Sequence, residues 1–261
     1  MAPKLALAAL MALPALTMGA AVPDVESRGI EIVGGSKATS GQFPYIVSLT
    51  TDSTLCGAVL INANTVVTAA HCTVDESSGA TLPASSLTIR AGSLKWASGG
   101  KTSGISKVTH HPSYSGSTTD FDVAVLKLST PIATSSTIAY ATLTTSGEDP
   151  SGTITVAGWG LTSENSQSIP ADLSYVKVPV IDRATCAKDY SEVNAITDNM
   201  FCAGLTQGGK DSCSGDSGGP VIGSDGKLVG VVSWGVGCAR AGYPGVYTRL
   251  GNFISWINSN I

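Results

Sequence analysis

The sequence predicts an all-β chain, built as paired barrels or as a sandwich. Three observations lead there. Short apolar runs recur from residue 45 to residue 248, with turn residues between them. Apolar residues at helical spacing are scarce. Thirty glycines, with frequent serine and threonine, supply the turns that many short strands need. At 261 residues the chain can bury a sizeable core, as one domain or two.

In chain order, residues 1–21 read as a secretory signal: Lys4 gives a positive end, 5–16 are apolar apart from Pro14, and Gly19-Ala20-Ala21 offers small residues for cleavage. Residues 22–31 are short and polar and read as a propeptide, leaving 32–261 as the working domain. Strands are expected at 45–49, 56–61, 65–70, 87–91 and 123–128 in a first half, and at 153–159, 173–181, 227–234 and 245–248 in a second. The halves should divide near 131–150. Asp182 is placed to cap a short helix running to Lys188. Phe253, Ile254, Trp256 and Ile257 fit one face of a C-terminal helix.

Composition excludes some partners. Charged residues are 13% of the chain, the net charge is −4, and no basic run appears, which argues against nucleic acid. No stretch after the signal is apolar enough to span a bilayer. Six cysteines, an even number in a chain read as secreted, suggest disulfides rather than a free thiol nucleophile. Fifteen pairings are open and spacing does not choose among them. Nothing signals an oligomer, so a monomer is the default.

The chemistry concentrates in residues 210–220, Lys-Asp-Ser-Cys-Ser-Gly-Asp-Ser-Gly-Gly-Pro. A serine among glycines is usually a surface turn. It is also what a nucleophile needs: open approach, and backbone N–H groups free to converge on one point. The pentapeptide 215–219 also fits the Gly-x-Ser-x-Gly elbow of α/β-hydrolases, whose histidine follows the serine. Here His71, His110 and His111 all precede Ser217, so that reading fails. The order left open is His, then Asp, then Ser. His71 follows the apolar run Thr68-Ala69-Ala70. Asp122 enters the apolar run 123–128 and needs a partner there. Asp120 is a nearby rival, but Asp122 adjoins the run. The run His110-His111-Pro112-Ser113-Tyr114 reads as a surface loop without a catalytic part, and no third ligand for zinc is evident.

Five segments in this order carry a resemblance: Ile32-Val33-Gly34-Gly35, Thr68-Ala69-Ala70-His71-Cys72, Asp122-Val123-Ala124-Val125-Leu126, Gly215-Asp216-Ser217-Gly218-Gly219-Pro220 and Ser233-Trp234-Gly235. Together they resemble the chymotrypsin family of serine peptidases across nearly all of 32–261. Within that family the chain looks most like trypsins, and among these the secreted fungal forms.

The resemblance implies two six-stranded antiparallel β-barrels with the site between them. It implies Ser217 as nucleophile, His71 as base, Asp122 as the group that orients it, and the N–H groups of Gly215 and Ser217 as the oxyanion hole. It puts Asp211 at the base of a specificity pocket with Ser212, Gly235, Gly237 and Gly245, selecting Arg or Lys before the cut bond. Ser233, Trp234 and Gly235 would pair with substrate backbone. The implied disulfides are Cys56–Cys72, Cys186–Cys202 and Cys213–Cys238. Partners are protein and peptide substrates, with protein inhibitors also admitted. No cofactor is implied. Animal trypsins hold calcium in an acidic loop, but the matching 93–101 has no acid, so no metal site is expected.

The family's activation logic gives Ile32 and Asp216 their meaning: a cut before Ile32 frees an ammonium that pairs with Asp216. Here the chain departs from pattern. Trypsin precursors usually carry Arg or Lys before that bond, and this chain has Glu31. Arg28 is available, but cutting there leaves three extra residues. Two rival functions remain: a silent relative that only binds proteins, disfavoured because no triad member is lost, and an esterase of unrelated fold, disfavoured by residue order.

Overall fold

The apolar runs close into two barrels. The structure is a computed structural model that describes residues 32–75 and 77–261. The segments read above as signal and propeptide, 1–21 and 22–31, therefore lie outside the described residues.

The first barrel comprises β2 (Ile46–Thr50), β3 (Leu55–Asn62), β4 (Thr65–Thr68), β5 (Thr88–Ala91), β6 (Lys101–His110) and β7 (Ala124–Leu128). They close antiparallel in the order β2-β3-β4-β7-β6-β5, with β5 returning onto β2. Closure leaves neither barrel with a bare edge. All four residues of β4, Thr-Val-Val-Thr, are buried, which suits β-branched side chains on a pleated surface.

The second barrel comprises β8 (Thr153–Gly158), β9 (Ser174–Ile181), β10 (Met200–Ala203), β11 (Pro220–Ile222), β12 (Leu228–Trp234) and β13 (Gly245–Arg249). Its order is β9-β10-β13-β12-β11-β8, and β8 pairs back onto β9. The two-residue β1 (Ser36–Lys37) lies outside, against β9. Alternation is clearest in β9, where Val176 and Val178 are buried while Lys177 and Pro179 are exposed. The connection between barrels, 129–152, spans the segment expected to divide the halves.

The core of the first barrel, built on Val47, Leu60, Val66, Ile89 and Leu126, continues into the second through Ile222, Leu228 and Val231. Phe253 and Ile257 join it from α2 (Ile254–Ser259) and the residue before it. The second core gathers Ile154, Val156, Val178, Phe201, Val221 and Tyr247 around Ile32, which is fully buried. The other helix, α1 (Arg183–Asp189), starts where expected: Asp182 accepts from the Thr185 N–H at 3.1 Å. Among the described residues no helix is long and apolar enough to cross a membrane.

Several expectations need correction. Strands β1, β6, β10 and β11 were not read from the sequence. The run 65–70 leaves the sheet at Thr68, and Ala70–Thr73 forms a 3-10 turn instead. His110 is not in a loop. It ends β6, and its Nε2 lies 2.9 Å from Thr81 Oγ1. His111 is wedged among rings, with centroids 4.8 Å from Phe121, 5.1 Å from Trp256 and 5.4 Å from Phe253.

Candidate active site

The pairing of β4 with β7 sets Thr68 opposite Ala124. Residues leaving β4 therefore meet residues entering β7. That register brings His71 and Asp122, 51 positions apart, into contact. His71 Nδ1 lies 2.8 Å from Asp122 Oδ2, and the His71 amide donates to Asp122 Oδ1 at 2.9 Å. Two hydroxyls from the second barrel complete the grip. Ser233 Oγ on β12 donates to Asp122 Oδ2 at 2.5 Å, and Thr248 Oγ1 on β13 donates to the Asp122 carbonyl at 2.7 Å. Asp122 is 1% exposed. Burial alone would raise its carboxyl, but the His71 charge and the donors on both oxygens outweigh it and hold the group below the usual range.

Ser217 sits in the connection between β10 and β11. That loop is pinned from both barrels: the Gly57 N–H donates to the Ser217 carbonyl at 2.7 Å, and the Gly218 N–H to Val232 O at 2.8 Å. His71, Ser214, Gly215 and Ser217 line one cleft between the barrels. Gly215 holds φ +100°, and a Cβ there would lie 3.2 Å from Gly160 Cα. Only glycine takes that turn without strain. Among the described residues neither the Gly215 nor the Ser217 N–H donates to a backbone carbonyl.

Next to the serine opens a cavity of about 150 Å³ lined by Asp211, Ser212, Ser217, Ser233, Trp234, Gly235, Gly237 and Gly245. The residues expected to form a pocket are thus brought together. A Cβ at Gly245 would fall 2.5 Å from Asp211 Oδ1, so any side chain there would cover the carboxylate. Asp211 is 4% exposed and accepts from the Ser212 N–H at 2.8 Å and the Ala239 N–H at 2.9 Å. Burial outweighs these donors and pushes its carboxyl up to about 6.

Asp216 lies deeper. It is fully buried, accepting from the Gly160 N–H at 2.7 Å and the Cys213 N–H at 2.9 Å. No cation pairs with it among the described residues. Burial therefore pushes it up to about 7 against those two donors, with the nearby Asp211 charge adding to the rise.

Three disulfides brace the site. Cys56–Cys72 ties β3 to the His71 turn, Cys186–Cys202 ties α1 to β10, and Cys213–Cys238 ties the serine loop to the pocket wall. Each contributes about 2–4 kcal/mol in the usual range. Cys56, His71 and Cys72 bring their ligand atoms within 4.8 Å of one another. Both sulfurs are bonded to each other, so no thiolate remains for a metal.

Sequence reasoning gave Ser233 only a backbone role and overlooked Thr248 and Tyr190. Tyr190 donates to Pro244 O at 2.6 Å and meets the Trp234 ring edge-on at 4.9 Å, which shapes the pocket wall. The available signal was a hydroxyl in a run of buried apolar residues. Ser233 in Val-Val-Ser-Trp and Thr248 in Val-Tyr-Thr each need a buried acceptor.

Comparison with known proteins agrees with this geometry. The family model described as Trypsin matches residues 32–257. Trypsin Blo t 3 of Blomia tropicalis is 49% identical over 231 residues, 87% of this chain and 84% of its own. Trypsin beta of Drosophila erecta and trypsin delta of Drosophila melanogaster are each 42% identical over 241 residues, covering 92% of this chain and 90% of theirs. These relatives come from a mite and from flies, so they lend no support to the fungal likeness. A trypsin-like cleft on two closed barrels, with this breadth of identity, makes the chain a member of the trypsin family of serine endopeptidases.

Proposed function

We propose that the chain is secreted as a precursor, is switched on by a cut before Ile32, and then hydrolyses peptide bonds that follow Arg or Lys. One observation carries the specificity: a buried carboxylate, Asp211, lines a cavity that opens beside Ser217 and that no cationic side chain lines among the described residues. A substrate guanidinium or ammonium would supply that charge with paired hydrogen bonds.

The reaction then runs by acyl transfer. Ser217 Oγ attacks the carbonyl while His71 takes its proton, because an alcohol is a weak nucleophile at neutral pH. Asp122 keeps the proton of the resting imidazole on Nδ1, which leaves Nε2 to act as base. The Gly215 and Ser217 N–H groups receive the oxyanion, and losing one such donor costs about 3 kcal/mol of barrier. His71 returns its proton to the leaving amine, and water repeats the sequence on the acyl-enzyme.

In the switch, the new Ile32 ammonium pairs with Asp216. Glu31 argues against self-activation, since an Arg/Lys-specific enzyme does not cut after Glu. Either a different protease makes that cut, or the three residues left by a cut after Arg28 are trimmed, and the product acts as a monomer on protein and peptide substrates. Protein inhibitors that occupy the same cleft are a second class of partner.

The test is N-terminal sequencing of the secreted form, followed by cleavage of matched peptides with Arg, Lys, Phe or Ala before the bond. A chain starting at Ile32 that cuts only after Arg and Lys is expected. Ser217→Ala should abolish turnover without unfolding the chain. Equal cutting after Phe, or turnover by the Ser217 variant, defeats the reading.

A further inference from the structure

Asp122 follows a turn that hangs where the two barrels meet. The turn closes by the Ser115 N–H donating to the Asp120 carbonyl at 3.2 Å. Two of its residues hold left-handed backbone, Thr119 at φ 52° and Phe121 at φ 54°. A β-branched and an aromatic side chain both disfavour that region. Such a conformation persists only where its surroundings over-determine it.

Asp120 lies between the two and accounts for much of that restraint. Its Oδ1 accepts three hydrogen bonds: from the Phe121 N–H at 2.8 Å, Thr197 Oγ1 at 2.9 Å and Asn199 Nδ2 at 2.9 Å. The first fixes the left-handed residue locally. The other two come from the segment that enters β10 in the second barrel. Asn199 is itself held, because its carbonyl accepts from the Arg249 N–H at 2.8 Å and its Oδ1 from Asn252 Nδ2 at 3.2 Å. On the other flank, the Phe121 ring stacks on His111 and packs edge-on against Phe253 at 6.0 Å.

We propose that Asp120 is a positioning residue for the reaction: its Oδ1 locks the 119–121 turn to the second barrel and thereby sets where Asp122 meets His71. One peptide unit beyond Phe121, the Asp122 carboxylate has to reach both the ring and the amide of His71. If the turn relaxes to ordinary backbone, Asp122 swings off that spot. Displacement by about an ångström at such a site costs up to 10²-fold in rate. All three bonds end on one oxygen, so an amide oxygen serves as well as a carboxylate. Hydrogen bonding, not charge, does the positioning.

The inference rests on Asp122 orienting His71, and the test separates the two. Asp120→Ala, Asp120→Asn and Asp122→Asn are compared with the activated wild type on a blocked arginine anilide, with rates normalised by the concentration of folded, activated protein. Asp120→Ala is expected to lower kcat about 10- to 100-fold, with KM within about two-fold. The acid limb of its kcat/KM profile moves to lower pH, because the carboxylate no longer steadies the imidazolium. Asp120→Asn should restore both. Wild-type kcat and acid limb in Asp120→Ala overturn the proposal, whatever happens to Tm, and so does an Asp120→Asn variant as impaired as Asp120→Ala. Should Asp120→Ala fail to fold, Thr197→Val removes one donor and is read the same way, with wild-type values again overturning the proposal. A wild-type rate in Asp122→Asn would sink the triad itself, whereas a wild-type rate confined to the Asp120 variants sinks only the latch.

Discussion

Three carboxylates lie buried within the site, and they have opposite characters. Asp122, between the barrels, meets a donor on each oxygen and the His71 ring, and its carboxyl is held low. Asp211 and Asp216, inside the second barrel, meet backbone N–H groups but, among the described residues, no cation, and theirs are pushed up to about 6 and about 7. Burial is near complete in all three. What differs is whether a positive or ionisable partner is already in place. The catalytic pair is finished by the fold alone. Among the described residues the two second-barrel acids each lack a positive partner, which on the proposed function a substrate side chain and a new chain end supply from outside.

The sharpest way to break this contrast is Asp122→Asn. An amide has one accepting oxygen where the carboxylate has two, and three groups meet that carboxylate: the His71 ring, the His71 amide and Ser233 Oγ. Its NH₂ would face either the His71 ring or the His71 amide. Facing the ring, it would donate to Nδ1 and drive the ring proton onto Nε2, where it can no longer accept the proton of Ser217. A loss on the order of 10⁴-fold in kcat is expected. Steady-state kinetics at neutral pH checks it, and a loss below tenfold would mean Asp122 does not orient the base.

The second test touches the open carboxylate. Asp211→Ser removes the charge and leaves the cavity. Breaking a buried ion pair from one side costs about 3–5 kcal/mol, so kcat/KM for Arg and Lys substrates should fall about 10³-fold and their advantage over Ala should vanish. The wild type adds a pH signature. Binding a substrate cation requires ionised Asp211, so it is supported above about pH 6 and lost as pH falls through that value. KM for Arg substrates should therefore rise below pH 6, and the rise should be absent in Asp211→Ser. The same limb in both proteins would assign it to another group.

The two regions also differed in how plainly the sequence displayed them. The serine stretch, the histidine and the acid each sit in short segments that together resemble a known family, and it is that resemblance, not the six-residue spacing, that gave Asp211 its place before Ser217. The grip on Asp122 could not be read along the chain. Ser233 and Thr248 lie 111 and 126 residues away, and only strand pairing across barrels brings them in. Among the strands, β6 escaped because only Ser103 and Ile105 of its ten residues are buried, which leaves almost no apolar signal. The three-residue β11 gave no strand signal because it opens on Pro220, directly after Gly218-Gly219. The barrels themselves are set by register and closure, and spacing along the chain reports neither.

The smallest effect per pH unit concerns Asp216, and it separates the intact chain from the cut one. In the intact chain the carboxyl stands at about 7, raised from 3.8. Between those values the folded state keeps a proton that the unfolded state has released. Stability from this group is therefore complete below about pH 4 and is lost as pH rises through about 7, at about 1.4 kcal/mol per unit. On the proposed switch, a free ammonium on Ile32 holds Asp216 ionised and the slope disappears. The Asp211 contribution is common to both forms and cancels in their difference. Two chains should be compared, both carrying Ser217→Ala so that neither digests itself: one intact, one beginning at Ile32. The Tm gap between them is expected to widen by about 3 °C per pH unit from 4 to 7, in favour of the cut chain. Asp216→Asn in the intact chain should flatten its curve. Parallel curves for the two forms would mean that Asp216 does not wait unpaired for the new chain end, and the contrast between a finished pair and an unfinished one would fail at its deepest residue.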